Sequence, residues 1–403
     1  MDDYSPSTRV FGPLLRAFPQ AYLRSLHHPE WIPHGVQDVR EILDGKVTPE
    51  LDRYNGRTPI VLVHGTWMNS FNSFAMLGPF LARNRPVFSL DYGSDPAALV
   101  SRLRSVKATT DLSDALAEVT DLLDRFRAHL SLPRIDLIGH SQGGLHCRSY
   151  ANASIDSLYD EALNRGLNEE AAEQYASDNS PVRAVISLAG NHRGTTAWGM
   201  RRRLSALERC GLPMHKLVDR LVGRACIQQL LDSDYIATLN RAARGITRRG
   251  PHYLNIGTPF DTVVRPWTGA FLPEQEGHHI TNVNNATGGG DWSDHLALLY
   301  SPNTLERIHE FLEELDGAEA GNVPHHPRQR VLPMYGALPR GLGRRRLGRR
   351  RSGRRAGSNS AQNFRTYFQN SIDSFSNRCT IWVIGKICKR KFFVWCTEVG
   401  GTG

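Results

Sequence analysis

The sequence predicts an α/β domain on a mostly parallel sheet with helices on both faces, a helical insertion and a basic low-complexity C-terminal tail. Three observations carry this. From Thr58 onward, short β-branched runs alternate with helix-periodic segments, the pattern of successive βαβ units. The turn Gly139-His140-Ser141-Gln142-Gly143 directly follows one such run and precedes a helix-compatible stretch. The composition then breaks at Gly317: the last 87 residues hold 17 Lys+Arg against 3 Asp+Glu, a net +14, whereas the first 316 hold 32 against 37 and carry −5.

Taken in order, residues 1–56 are Pro-rich and weakly periodic, which predicts a wrapping or partly ordered leader. The sheet domain is expected over 57–316. Its strands are read at Pro59–His64 (PIVLVH), Pro86–Tyr92, Arg134–Gly139, Val182–Leu188, His252–Ile256 and His278–Asn282. Between the second and third, Leu112, Leu116, Val119, Leu123, Phe126 and Leu130 recur at three and four residues and form one apolar helix face over Asp111–Leu130. A last helix, Asn303–Leu315, starts after Pro302 and gathers Leu305, Ile308, Phe311, Leu312 and Leu315 on one side. Residues 194–250 lack strand-like runs but contain Leu217, Val218, Leu221, Val222, Leu230 and Leu231, so they read as a helical cap or lid over one end of the sheet.

The tail, 317–403, carries an Arg/Gly tract, then a stretch at 358–378 rich in Asn, Ser, Gln and Phe, with no core pattern. Disorder and dispensability for catalysis are expected there, because nothing in it repays an ordering cost of about 1–2 kcal/mol per residue. Before it the chain has only Lys46, Lys107 and Lys216, whereas its end uses Lys, Asn, Ile and Phe, as a foreign segment or shifted reading frame would.

The overall charge of +9 therefore belongs to the tail, and the acidic body offers no electrostatic reason to bind nucleic acid. Eleven arginines from Arg328 to Arg355, near Phe364, Tyr367 and Phe368, make nucleic-acid or anionic-membrane binding through the tail the non-catalytic alternative. Cys147, Cys210, Cys226, Cys379, Cys388 and Cys396 show no C-x-x-C spacing, and no H-e-x-x-h pattern occurs, so neither a metal nor a cofactor is expected. Met1–Pro33 lacks the apolar core of a signal peptide and no window offers the ~20 apolar residues of a membrane span. Export is thus not encoded as numbered.

Gly-x-Ser-x-Gly between a strand and a helix is the context of a nucleophile elbow, in which both glycines are needed because a side chain at either would strike neighbouring backbone. Ser141 is the expected nucleophile. A serine hydroxyl needs a histidine base oriented by a carboxylate, and in an α/β-hydrolase both follow the serine in the chain. His295 lies after the last strand and before the last helix. His278 and His279 begin a strand, at the wrong end of a parallel sheet, and His309 lies within the last helix. Asp261, just after the His252–Ile256 strand, is preferred as the acid over Asp232 and Asp234 in the insertion and over Asp291 and Asp294 beside His295. The oxyanion hole is expected from the backbone N–H groups of Gln142 and Thr66, the latter after His64-Gly65, with the Thr66 hydroxyl as a third donor.

The segments VLVHGTWMNS, LIGHSQGG, SLAGNHRGTT, GTPFDTVVRPWTGAFL and SDHLALLY, in this order over about residues 57–315, resemble the bacterial class 2 triacylglycerol lipases of the actinobacterial branch. The resemblance implies Ser141, Asp261 and His295 as triad and Thr66 and Gln142 as oxyanion donors. It implies ester or triacylglycerol hydrolysis through an acyl-enzyme, contact with a lipid interface and export, and it makes a Cys210–Cys226 bridge plausible in an oxidising compartment. Trp67, Phe71, Phe74, Trp198, Trp267 and Phe271 are the expected acyl-pocket aromatics. An acyltransferase or thioesterase would use the same constellation.

Overall fold

Seven strands, β1 (Gln37–Asp38), β2 (Ile60–Val63), β3 (Val87–Leu90), β4 (Ile135–His140), β5 (Val182–Leu188), β6 (His252–Gly257) and β7 (Ile280–Asn284), form one sheet in the order β1-β3-β2-β4-β5-β6-β7. Every pairing is parallel. The computed structural model describes residues 14–49, 51–54, 56–197, 200–211, 213–242, 250–287 and 291–317, with 380–381 and 397–398. The chain divides into two units, 1–338 and 339–403. Of the second, only an antiparallel pair of two-residue strands, Thr380–Ile381 and Thr397–Glu398, is described. The expected disorder of the tail falls outside the described residues.

Helices cover both faces: α1 (Leu14–His27), α2 (Val39–Leu43), α3 (Ser70–Phe74), α4 (Leu77–Leu81), α5 (Leu112–His129), α6 (Gln142–Asn164), α7 (Glu169–Asn179), then α8 (Met200–Arg209), α9 (Met214–Val222), α10 (Ala225–Gln228) and α11 (Asp234–Ala242) in the insertion, and finally α12 (Pro302–Leu315). Strand residues alternate between the two layers. Ile60, Leu62, Ile138, Ile186 and Ile256 join Phe18, Phe74, Leu77, Ile308 and Leu312 on one face, while Val61, Val63, Leu137 and Val185 join Ile42, Val119, Leu123, Phe126 and Tyr150 on the other. Each such side chain contributes about 1.5–3 kcal/mol on burial. Because both faces are covered, β2, β3 and β4 are buried at every position, and β2 reads in sequence as an unbroken apolar run, while Ser89 interrupts β3 and Asp136 interrupts β4.

Local signals set the boundaries. Ser301 caps α12 by accepting the Thr304 N–H, with Pro302 as its first residue, and Asp111 caps α5 through the Ser113 N–H. The last strand starts at Ile280 rather than His278, because a turn closed by the His278 N–H on the Gln275 carbonyl delays it. β1 comes from the segment read as a leader. Gln37 and Asp38 pair with Phe88 and Ser89 at the sheet edge, a strand too short to show any period.

The order of strands reverses direction at β2, which has β3 on one side and β4 on the other. Chain segments leaving β2 and β4 therefore diverge and open a crevice at the carboxyl ends of the strands, where doubly wound sheets bind ligands. Both the His64-Gly65-Thr66 loop and Ser141 emerge there.

Candidate active site

Ser141 sits between the last residue of β4 and the first of α6 at φ 52°, ψ −116°. A non-glycine residue in this region stores about 1–3 kcal/mol of strain and persists only where the surroundings dictate it. They do so here: a Cβ on Gly143 would stand 2.1 Å from the Val63 carbonyl oxygen, and one on Gly139 2.5 Å from the Gly143 backbone. The turn closes only because both positions lack side chains. The Ser141 N–H donates to the Leu188 carbonyl at 2.9 Å, fixing the elbow to β5.

His295 and Asp261 come together as expected, with His295 Nδ1 2.8 Å from Asp261 Oδ2. Both are buried, at 4% and 1% exposure, so little water competes for the contact. The carboxylate only accepts, so Nδ1 carries the proton and Nε2 keeps the lone pair that a base requires. Asp261 is itself held: its Oδ1 accepts the Val263 and Val264 N–H groups at 2.7 and 2.8 Å. Thr258 Oγ1 donates to the Ser293 carbonyl at 2.8 Å and ties the Asp261 loop to the His295 loop.

The link between His295 and the elbow runs through His140. Its ring lies 4.8 Å from that of His295, and its Nε2 donates to the His295 carbonyl at 3.1 Å. Burial, then the neighbouring His295 imidazole, holds the His140 pKa well below its ordinary value, so the ring is a neutral donor. In the sequence the only signal for this side chain is its position before Ser141.

The two loops expected to form the oxyanion hole are in contact. A Cβ on Gly65 would stand 2.8 Å from His140 Nδ1 and 3.1 Å from the Ser141 Cβ, so only glycine lets this loop meet the elbow. Among the described residues, neither the Thr66 nor the Gln142 backbone N–H has a protein acceptor. The Thr66 hydroxyl differs from expectation. It donates to Gln142 Oε1 at 2.6 Å and accepts from Gln229 Nε2 at 2.8 Å, so it is not free to act as a third donor in this arrangement.

The remaining candidates separate clearly. Asp291, weighed as an alternative acid, instead accepts from Asn285 Nδ2, the Ser293 N–H and hydroxyl, the Ser301 hydroxyl and Asn303 Nδ2, at 2.6 to 2.9 Å. It knots the chain around His295. Asp294 caps the following turn through the Leu296 and Ala297 N–H groups, and burial raises its pKa. His309 packs on Phe80 from α12.

Among the aromatics, Phe74 is fully buried in the core. Phe71 packs against that core and against Trp31. Trp267 and Phe271 form an edge-to-face pair at 5.2 Å beyond the Asp261 loop. Trp67 is 37% exposed and donates its indole N–H to the Val222 carbonyl of α9. Trp198 lies outside the described residues. Cys210 and Cys226 are free thiols: Cys210 is exposed, while desolvation pushes the Cys226 thiol up to about 11, an unreactive state. The bridge considered from the resemblance is therefore not formed. Among the described residues there is no group of three or more His, Cys, Asp or Glu placed to hold a metal, and no helix long and apolar enough to cross a membrane.

The alpha/beta hydrolase family model matches residues 60–302, more than half of the chain. The chain belongs to that family. Solved structures similar to it include lipase B of Aspergillus fumigatus, at 16% identity and TM-score 0.43 over 71% of this chain and 60% of that one. Esterase B of Lactobacillus rhamnosis matches at 14% identity and TM-score 0.41 over 76% and 95%. A 2-hydroxy-6-oxo-6-phenylhexa-2,4-dienoate hydrolase of Rhodococcus matches at 13% and 0.35 over 65% and 91%. The match spans less than two thirds of the Aspergillus lipase. A search of curated protein sequences finds no match.

Proposed function

We propose that this hydrolase cleaves carboxylic esters of apolar acids, triacylglycerols among them, through an acyl-enzyme on Ser141. One observation carries the reading: a strained serine between obligatory glycines, followed in the fold by a buried histidine that is tied to the residue before the serine and whose Nδ1 is 2.8 Å from a buried carboxylate. His295 Nε2 takes the Ser141 hydroxyl proton as Oγ bonds to the ester carbonyl carbon. The resulting oxyanion is met by the Thr66 and Gln142 backbone N–H groups, and collapse expels the alcohol with the proton from His295. Water, activated by the same imidazole, then attacks the acyl carbon and releases the acid and Ser141.

The insertion supports an apolar acyl group. Leu217 and Leu221 on α9 are 48% and 41% exposed, α9 packs on the turn at Leu99–Arg102 where Leu99 is exposed too, and Trp67 joins them through Val222. Apolar surface of this kind beside the crevice suits a lipid ester presented at an interface. Within this reading the finer type is the bacterial class 2 triacylglycerol lipase.

A series of p-nitrophenyl esters of increasing acyl length, with triolein beside it, tests the proposal. Turnover that rises from acetyl to medium chains, together with fatty acid release from triolein, is expected. Folded protein inactive on every ester overturns it.

A further inference from the structure

We infer that Gln229, in the insertion just after α10, is a positioning residue for the oxyanion site: its side-chain amide lets the Thr66 hydroxyl leave Gln142 and turn to the oxyanion. This deepens the proposed function and rests on it, since it takes Thr66 and Gln142 as the oxyanion donors.

The residue is anchored before its side chain acts. Gln229 is 7% exposed, and its carbonyl accepts the Asn191 Nδ2 and Thr195 N–H groups at 3.0 and 2.9 Å, which pins it to the loop after β5. Its Nε2 donates to Thr66 Oγ1 at 2.8 Å, with the Ala225 carbonyl at 3.1 Å and Gln142 Oε1 at 3.4 Å.

The directions of donation follow from chemistry. An amide NH2 only donates, so Thr66 Oγ1 accepts from Gln229 and spends its single proton on Gln142 Oε1 at 2.6 Å. Gln142 Nε2, also donor only, faces His146 Nε2 at 3.2 Å. That imidazole is neutral and accepts, because burial lowers its pKa to about 3. Donation thus runs one way, from the insertion through Thr66 and Gln142 to a buried histidine.

A developing oxyanion is a stronger acceptor than an amide carbonyl and draws the Thr66 proton toward it. Gln142 Oε1 would then lose its best donor. Gln229 Nε2, already 3.4 Å away, supplies the replacement by turning its second proton from the Ala225 carbonyl to Gln142 Oε1 while the first stays on Thr66 Oγ1; the Ala225 carbonyl keeps the Gln229 backbone N–H at 3.3 Å, so the hydroxyl turns without stranding an acceptor. Gln229 touches neither substrate nor nucleophile and acts only through Thr66.

A double-mutant cycle on the full chain tests this with p-nitrophenyl butyrate. Thr66→Val should lower kcat about 100-fold, as loss of one oxyanion donor does, and Gln229→Met about tenfold, each with KM within about twofold. The decisive variant is the double, which should be no slower than Thr66→Val alone within about twofold. A purely structural role for Gln229 gives the tenfold loss in both backgrounds. That result, a loss falling on KM, or a Gln229→Met enzyme as fast as wild type overturns the inference, and Gln229→Leu carries the same cycle if the Met variant does not fold. Thr66→Val at wild-type speed also overturns it while leaving Ser141 untouched. A wild type inactive on every ester overturns the proposed function and the inference with it.

Discussion

From Ile135 to Ala151 every residue is buried, and Ser141 is held at a strained φ by glycines on both sides; in the insertion, α9 buries none of its nine residues and leaves Leu217 and Leu221 exposed. The first region is over-determined by packing and can hold a reactive geometry against its own strain. The second has apolar surface to spare, and what it contributes to the site arrives through a few polar contacts such as Gln229 to Thr66. On the proposed function, placement of the reacting groups and recognition of the substrate are divided between the two regions, and changes in each should fail differently.

The largest effect is expected on the packed side. His295→Ala, and Asp261→Asn through a misoriented imidazole, should each lower kcat by about a thousandfold or more while near-ultraviolet circular dichroism stays native. If Asp291→Asn is the damaging change instead, the carboxylate is wrongly chosen; by its contacts that substitution weakens the loop, and its cost should appear first in stability.

Gly143→Ala should damage the fold itself. Its Cβ meets main chain of β2, which cannot yield as a flexible side chain can, so a loss of about 3 kcal/mol and a matching fall in Tm are expected. An alanine variant with wild-type Tm would show that the elbow is looser than its geometry states.

The elbow was legible from sequence because its demands fall on residue type at fixed spacing: two glycines around a serine, after a strand. Asp261 and His295 were legible for a related reason, chain order after successive strands. His140, Asp291 and Gln229 were not, because their roles depend on which way a side chain turns after folding, and no spacing encodes that. The edge strand at Gln37–Asp38 escaped for lack of length. The Thr66 hydroxyl reads as free in the sequence because its partner Gln229 lies 163 residues away, beyond any local pattern.

A smaller effect separates the regions by pH. His64, His140, His146 and His192, all on the packed side, have pKa values lowered by burial, so the folded protein keeps them neutral. Their folded values lie below the unfolded one near 6.5. The stability they contribute is full above that value and is lost as pH falls, because the unfolded chain takes up protons that the folded chain refuses. The urea midpoint should drop between pH 7 and pH 6, where unfolded carboxylates do not titrate. A flat profile contradicts the burial of these rings.

The smallest effect on soluble substrate belongs to the insertion. Replacing Leu217 and Leu221 together by Ser should leave p-nitrophenyl butyrate turnover within about twofold, since surface changes usually stay within ±0.5 kcal/mol, yet lower the rate on emulsified triolein several-fold. Equal losses on both substrates would mean that α9 supports the site and not the interface.

The assignment of Ser141 is tested most directly by stoichiometric labelling. A fluorophosphonate reacts with an activated serine and leaves its phosphorus bonded to Oγ, with fluoride departing. Peptide mapping of the inactivated protein should find one adduct, on Ser141, with activity lost in proportion to labelling, and Ser141→Ala should take up no label while keeping the wild-type Tm. An adduct on another serine, or a Ser141→Ala variant that still hydrolyses esters above about a thousandth of the wild-type rate, would contradict the account.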